Sequence, residues 1–155
     1  MKIRGRAIAV VAAMILVAII AALFYLSVGS PHFTSVNFGG RSFAITNLEV
    51  NMAQWQQGLM NKTVTNGTIA LFVFPKPAVY PFWMYDTYYN LDIIWVNATA
   101  GSGTVVYIAR NATSCFSPSS CEVYTPNAFA NYVIEAQAGF ASRNNISVGT
   151  RVVLG

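Results

Sequence analysis

The run Phe82-Trp83-Met84-Tyr85-Asp86-Thr87 holds the residue types in this chain best suited to chemistry. Exposed aromatic faces stack on sugar rings or grip an apolar chain, and an adjacent carboxylate and hydroxyl would fix the orientation of what they hold. Tyr88 and Tyr89 extend the cluster, while Trp55 and Met60 are placed to form an opposite wall. The competing role for these side chains is packing, because a segment this apolar is either buried or bound to something.

The carboxylates offer a second chemistry. Asp86 and Asp92 flank Tyr88 and Tyr89, and with Glu135 they are the acids expected nearest the core. Paired carboxylates divide acid and base work or hold a divalent cation. The structural alternative for Asp92 is to pin the loop by accepting backbone N–H groups. Glu135 falls in a strand and is expected to partner Arg110 or Arg151. The single histidine, His32, precedes the folded region, so no nucleophile-and-base pair can form, and no glycine-rich phosphate loop is present. No catalytic residue, metal site or cofactor is assigned.

Two apolar strand-like runs, 71–74 and 91–97, bracket this loop, which Pro75, Pro77 and Pro81 punctuate. Ahead of it, a Gly39-Gly40 turn joins two strand patterns into a hairpin. Met52, Trp55 and Leu59 then recur at helical spacing, with Asn51 to cap the start and Gly58 near the end. Strand patterns return at 68–74, 91–96, 104–109, 131–136 and 151–154, with a turn at 100–103 and one helical turn at 139–144. Short strands joined by Gly and Pro turns predict a mainly β domain: a compact antiparallel β-sandwich or partly closed barrel with two short helices.

That domain does not account for the whole composition. The chain is 55% hydrophobic and 9% charged, with a mean hydropathy of +0.49, and the excess lies at the front. Ala7 to Val28 contains no charged residue, and at about 1.5 Å per residue it is long enough to cross the hydrocarbon core as a transmembrane signal-anchor helix. Lys2, Arg4 and Arg6 precede it, and the next basic residue is Arg41, so the positive-inside asymmetry keeps 1–6 in the cytoplasm and the C-terminal domain outside. Residues 29–34 form a linker and 35–155 an extracytoplasmic β domain. Alternatives are secretion after cleavage of a signal near Ser27 to Gly29, and a pilin-like leader cut near Gly5. Three of the nine basic residues belong to the membrane flank, so the remaining six nearly balance the five acids and imply no nucleic-acid partner.

An exported location agrees with two further patterns. Cys115 and Cys121 frame a serine- and proline-containing loop that reads as a disulfide, since a metal pair would lack partners. Five sequons, at Asn61, Asn66, Asn97, Asn111 and Asn145, fall at expected turns and are glycosylation candidates.

Gly58-Leu59-Met60, the run 71–74 before Pro75, Phe82-Trp83-Met84 with a following threonine, Leu91-Asp92-Ile93, the cysteine loop running into Tyr124 and Pro126, residues 132–136, Ala138-Gly139 and the terminal Val152-Val153-Leu154 after Gly149 occur in a telling order. From about Phe33 to Leu154 the chain resembles the domain of unknown function 192 family, also called uncharacterised protein family 0127. The resemblance implies a mainly β domain, often exported behind a signal or anchor in bacteria and archaea, with no established activity. An archaeal envelope suits the sequons. Members usually read FWMKNT where this chain has Tyr85 and Asp86 in place of Lys and Asn, and carry an arginine just before GLM where it has Gln56 and Gln57. Any anion site built on those cations is diminished in this chain.

The expectation is a membrane-anchored extracytoplasmic binding or accessory module of the cell envelope. It would engage an unidentified ligand or protein partner through Phe82, Trp83, Tyr85, Asp86, Thr87, Asp92, Trp55 and Met60. The alternative is a carboxylate-based hydrolase or metal-assisted enzyme at the outer membrane surface.

Overall fold

A computed structural model of the protein describes residues 14–20 and 31–155, within two units, 1–32 and 33–155. In the first unit, residues 14–20 form a helix, α1. The rest of the expected anchor, Ala7 to Val28, lies outside the described residues. Among the described residues no helix is long and apolar enough to cross a membrane.

The second unit is built on one sheet of eight strands. In chain order these are β1 (Ser35–Phe38), β2 (Arg41–Ala44), β3 (Asn47–Glu49), β4 (Ile69–Ala78), β6 (Leu91–Thr99), β7 (Ser102–Ala112), β9 (Ala130–Gln137) and β10 (Arg151–Leu154). Two more strands, β5 (Phe82–Trp83) and β8 (Val123–Tyr124), make a separate two-stranded ladder. The large sheet runs β2-β1-β10-β7-β6-β9-β4-β3, antiparallel throughout except for the β3–β4 pair. It curls into a half-barrel, so of the two expected forms the partly closed barrel describes the fold and the two-sheet sandwich does not. Helices α2 (Met52–Gln57) and α3 (Phe140–Arg143) are the two short helices expected, and Pro118–Ser120 adds a 3-10 turn. Phe33 and Thr34, expected in the linker, already join this unit: the Phe33 ring meets Tyr132 edge-on and Thr34 N–H donates to Gly155 O.

Both faces of the sheet are covered, which is why its central strands read as unbroken apolar runs rather than alternating ones. On the face under α3, Ile69, Leu71, Ile94, Val96 and Ile134 pack with Phe140. On the opposite face, under α2 and the aromatic loop, Ala70, Phe72, Ile93, Trp95 and Val133 pack with Met84. Every residue from Leu91 to Val96 is buried.

Two boundaries differ from expectation for local reasons. β4 continues through Pro75 and Pro77 to Ala78, beyond the expected end at Phe74. The prolines fall where pairing with β9 breaks, between Val73 and Ala78, so their missing N–H groups cost no ladder bond. The turn expected at 100–103 is tighter: Ala100 and Gly101 both take positive φ (49° and 76°), and Thr99 pairs directly with Ser102. That is the two-residue turn whose twist suits a hairpin.

Candidate functional site

The site grows from the way α2 is pinned to the sheet. Asn51 Oδ1 accepts from Gln54 N–H at 3.1 Å, and Gln54 Oε1 accepts from Val50 N–H at 2.9 Å, so both sides of the helix start are satisfied. Trp55 Nε1–H donates to Glu49 O at 3.0 Å, which holds the indole across the end of β3. Its ring packs on Phe74 at 4.8 Å, and Phe74 stacks on Tyr80 at 3.8 Å.

The facing wall is β5 and the loop after it. Phe82 sits edge-on to Phe72 and Trp95, at 4.9 and 5.7 Å, geometry that favours the positive ring edge over a neighbour's π face. β5 is held from the outside by β8, with Phe82 opposite Tyr124 and Trp83 opposite Val123. The disulfide between Cys115 and Cys121 forms, with Cα atoms 5.4 Å apart. Cys115 donates its N–H to Met84 O and accepts Asp86 N–H, so the cysteine loop buttresses the aromatic loop.

Between these walls lies a cavity of about 530 Å³. Six of the eight predicted ligand-binding residues line it: Trp55, Met60, Phe82, Trp83, Tyr85 and Thr87. Trp83 is 44% exposed, Thr87 is buried, and the other four are intermediate. Met60 belongs to the turn after α2 rather than to the helix itself.

Asp86 and Asp92 are not among the lining residues, and the paired-carboxylate arrangement is not assembled from them. Asp92 shares the α3 side of β6 with Ile94. Its Oδ1 accepts Asn111 N–H at 2.9 Å and its Oδ2 accepts Ala141 N–H at 2.8 Å. Both oxygens are thus committed to joining β7 and α3, the pinning role. Asp86 stands at φ +50°, a left-handed position that Asn and Asp occupy more readily than other side chains. Its N–H donates to Cys115 O and its carbonyl accepts Asn61 N–H. The residue therefore ties three segments together by its backbone. Among the described residues no three of His, Cys, Asp and Glu are grouped to hold a metal ion.

The acid that does reach the cavity is Glu135, for which a basic partner was expected. Arg110 is instead engaged on the α3 side, donating to Ser142 Oγ and Ile146 O at 3.1 and 2.7 Å, and Arg151 is exposed on β10. Strand parity sets the difference. Ile134 and Ala136 fill the α3 face, so Glu135 points to the α2 face beside Ala70 and Ile93, its cross-strand neighbours. It is 4% exposed, and its Oε2 has no hydrogen-bond partner. Burial, then the nearby Glu49 carboxylate, push its pKa up to about 8 against a smaller opposing pull from Lys62. Glu49 itself pairs with Lys62 at 3.3 Å. Sequence alone offered one signal for Glu135, a charge inside a run otherwise apolar on both faces. It could not say which face the charge would enter.

All five sequon asparagines are exposed. Asn61 and Asn145 lie in turns, but Asn97 lies within β6 and Asn111 within β7, where turns were expected.

Residues 37–154 match the family DUF192, described as Uncharacterized ACR. No curated protein matches the chain. Among solved structures the chain is similar to a putative transcription regulator from Sinorhizobium meliloti 1021, at 27% identity and a TM-score of 0.66, covering 81% of this chain and 98% of that one. It is also similar to a protein of unknown function from Novosphingobium aromaticivorans DSM 12444, at 25% identity and a TM-score of 0.66, covering 81% of this chain and 87% of that one.

Proposed function

The chain belongs to the DUF192 family, and on that footing we propose that it is a ligand-binding module rather than an enzyme, tethered to the membrane and working outside it. The observation that carries this reading is the cavity between α2 and the aromatic loop, where Trp83 is 44% exposed at the mouth and Glu135 is buried without a partner for Oε2. A concave, mostly apolar site with a few polar groups is the usual form of a small-molecule pocket. The tether and the outside location draw support from the apolar stretch Ala7 to Val28, the basic residues ahead of it, the disulfide and the exposed sequons.

The test uses residues 33–155, a compact unit without the apolar stretch, and a purified envelope fraction. Trp83→Ala abolishes retention on that fraction while leaving the thermal midpoint within a few degrees, because the indole is nearly half exposed. Asp86→Ala, away from the cavity, keeps retention. Equal retention of the Trp83 variant and the parent chain, or no retention of either, defeats the reading.

A further inference from the structure

We propose that the ligand of this cavity carries an organic ammonium group, seated between the aromatic walls with its positive charge against Glu135. The inference rests on the binding reading above and names its ligand class.

Three features select that chemistry. Among the described residues Glu135 is the only acid that lines the cavity and no lysine or arginine lines it, so an anionic ligand would find no counter-charge there. The walls are the faces and edges of Trp55, Phe74, Tyr80, Phe82, Trp83 and Tyr85, and an alkylated ammonium gains from aromatic quadrupoles where a neutral group of the same shape does not. Gly58 lets the turn after α2 pass close over Glu135, whose Oε2 is buried and without a hydrogen-bond partner. A Cβ at Gly58 would stand 3.7 Å from Oε2 and 3.1 Å from the Phe72 ring, and the backbone there, at φ +45°, is one that other residues rarely adopt.

The surroundings of Glu135 agree. Glu49 on β3 adds negative potential, and Lys62, in the turn after α2, is drawn to Glu49 at 3.3 Å. Tyr80 and Tyr85 are the other titratable groups lining the cavity, and the neighbours on β4 and β6, Ala70 and Ile93, bring no charge. With its pKa raised to about 8, Glu135 is protonated at neutral pH until a cation arrives. Binding breaks the carboxyl O–H bond, releases that proton to water and leaves a carboxylate facing the ammonium. Affinity is therefore coupled to pH.

Choline chloride and its neutral isostere 3,3-dimethylbutan-1-ol, titrated into the full chain in phosphate buffer from pH 6 to 8.5 with indole fluorescence as readout, test the proposal. Choline affinity is expected to rise about tenfold per pH unit from pH 6 and to level off near 8. The alcohol should bind at least about tenfold more weakly at pH 8.5, with no pH dependence. Glu135→Gln should flatten the choline profile and lower its affinity at pH 8.5 toward that of the alcohol, leaving only the gain from the aromatic walls. Trp83→Ala should weaken both probes. Equal binding of alcohol and choline at every pH overturns the ammonium assignment while leaving the cavity a binding site. No indole response to either probe removes both.

Discussion

Replacing Glu135 by glutamine should reverse the ordinary expectation that removing a buried native group destabilises a protein, and by an amount that depends on pH. The folded chain holds the Glu135 proton up to about pH 8, whereas an ordinary glutamate releases it near 4.5. Between those values the folded state binds more protons than the unfolded one. Stability is therefore fully present below about 4.5 and is lost as pH rises through about 8. Each pH unit in that window corresponds to about 1.4 kcal/mol, or about 5 °C of thermal midpoint for a domain of this size. The whole window amounts to roughly 5 kcal/mol. The glutamine side chain cannot titrate, and it has nearly the shape of the protonated acid. At pH 5 the variant and parent should melt together, and at pH 8.5 the variant should melt well above the parent. Thermal unfolding followed by circular dichroism at half-unit steps from pH 4.5 to 9, without added ligand, measures the difference. Parallel pH profiles would refute the reasoning, since they would mean that the ionised carboxylate finds a partner, such as Lys62, by a small rearrangement.

Three other outcomes follow from the same structure. Asp92→Ala orphans the N–H groups of Asn111 and Ala141 and should cost roughly 2–5 kcal/mol, with faster amide exchange at those two positions. Phe82→Ala, which removes a ring packed on Phe72 and Trp95, should cost about 3 kcal/mol, whereas Trp83→Ala should cost under about 1 kcal/mol; equal losses would show that the loop packs as one unit. Reduction of Cys115–Cys121, or its replacement by serines, should cost about 2 kcal/mol by the chain-entropy argument and raise exchange at the Asp86 amide, which bonds to Cys115 O.

Much of the architecture was legible because it depends on local signals. Gly39-Gly40 marked a hairpin, Asn51 and Gly58 marked the two ends of α2, and the apolar run after Asn90 marked a strand. The choice between sandwich and half-barrel was not legible, since it depends on the order in which eight similar strands pair, and residues far apart in the chain settle that. The extension of β4 past Phe74 was hidden for a related reason. Proline argues against a strand only where a ladder bond is needed, and whether one is needed depends on the partner strand.

The site divides along the same line. By itself the sequence put Trp55 on a short helix and offered it as a second wall to the aromatic loop, and it offered Asp92 as a pin rather than a reactant. It also placed two cysteines close enough to bond. Residue type and spacing suffice for such statements. Only the tertiary structure decided that Asp86 contributes its backbone and that the cysteine loop holds β5 in place. It also decided that the acid in the cavity is Glu135. Side chains on a strand alternate between two faces, and in a strand buried on both sides nothing local says which face will be filled and which will border a cavity. That choice belongs to the elements packed above it, here α3 on one side and α2 with its aromatic loop on the other.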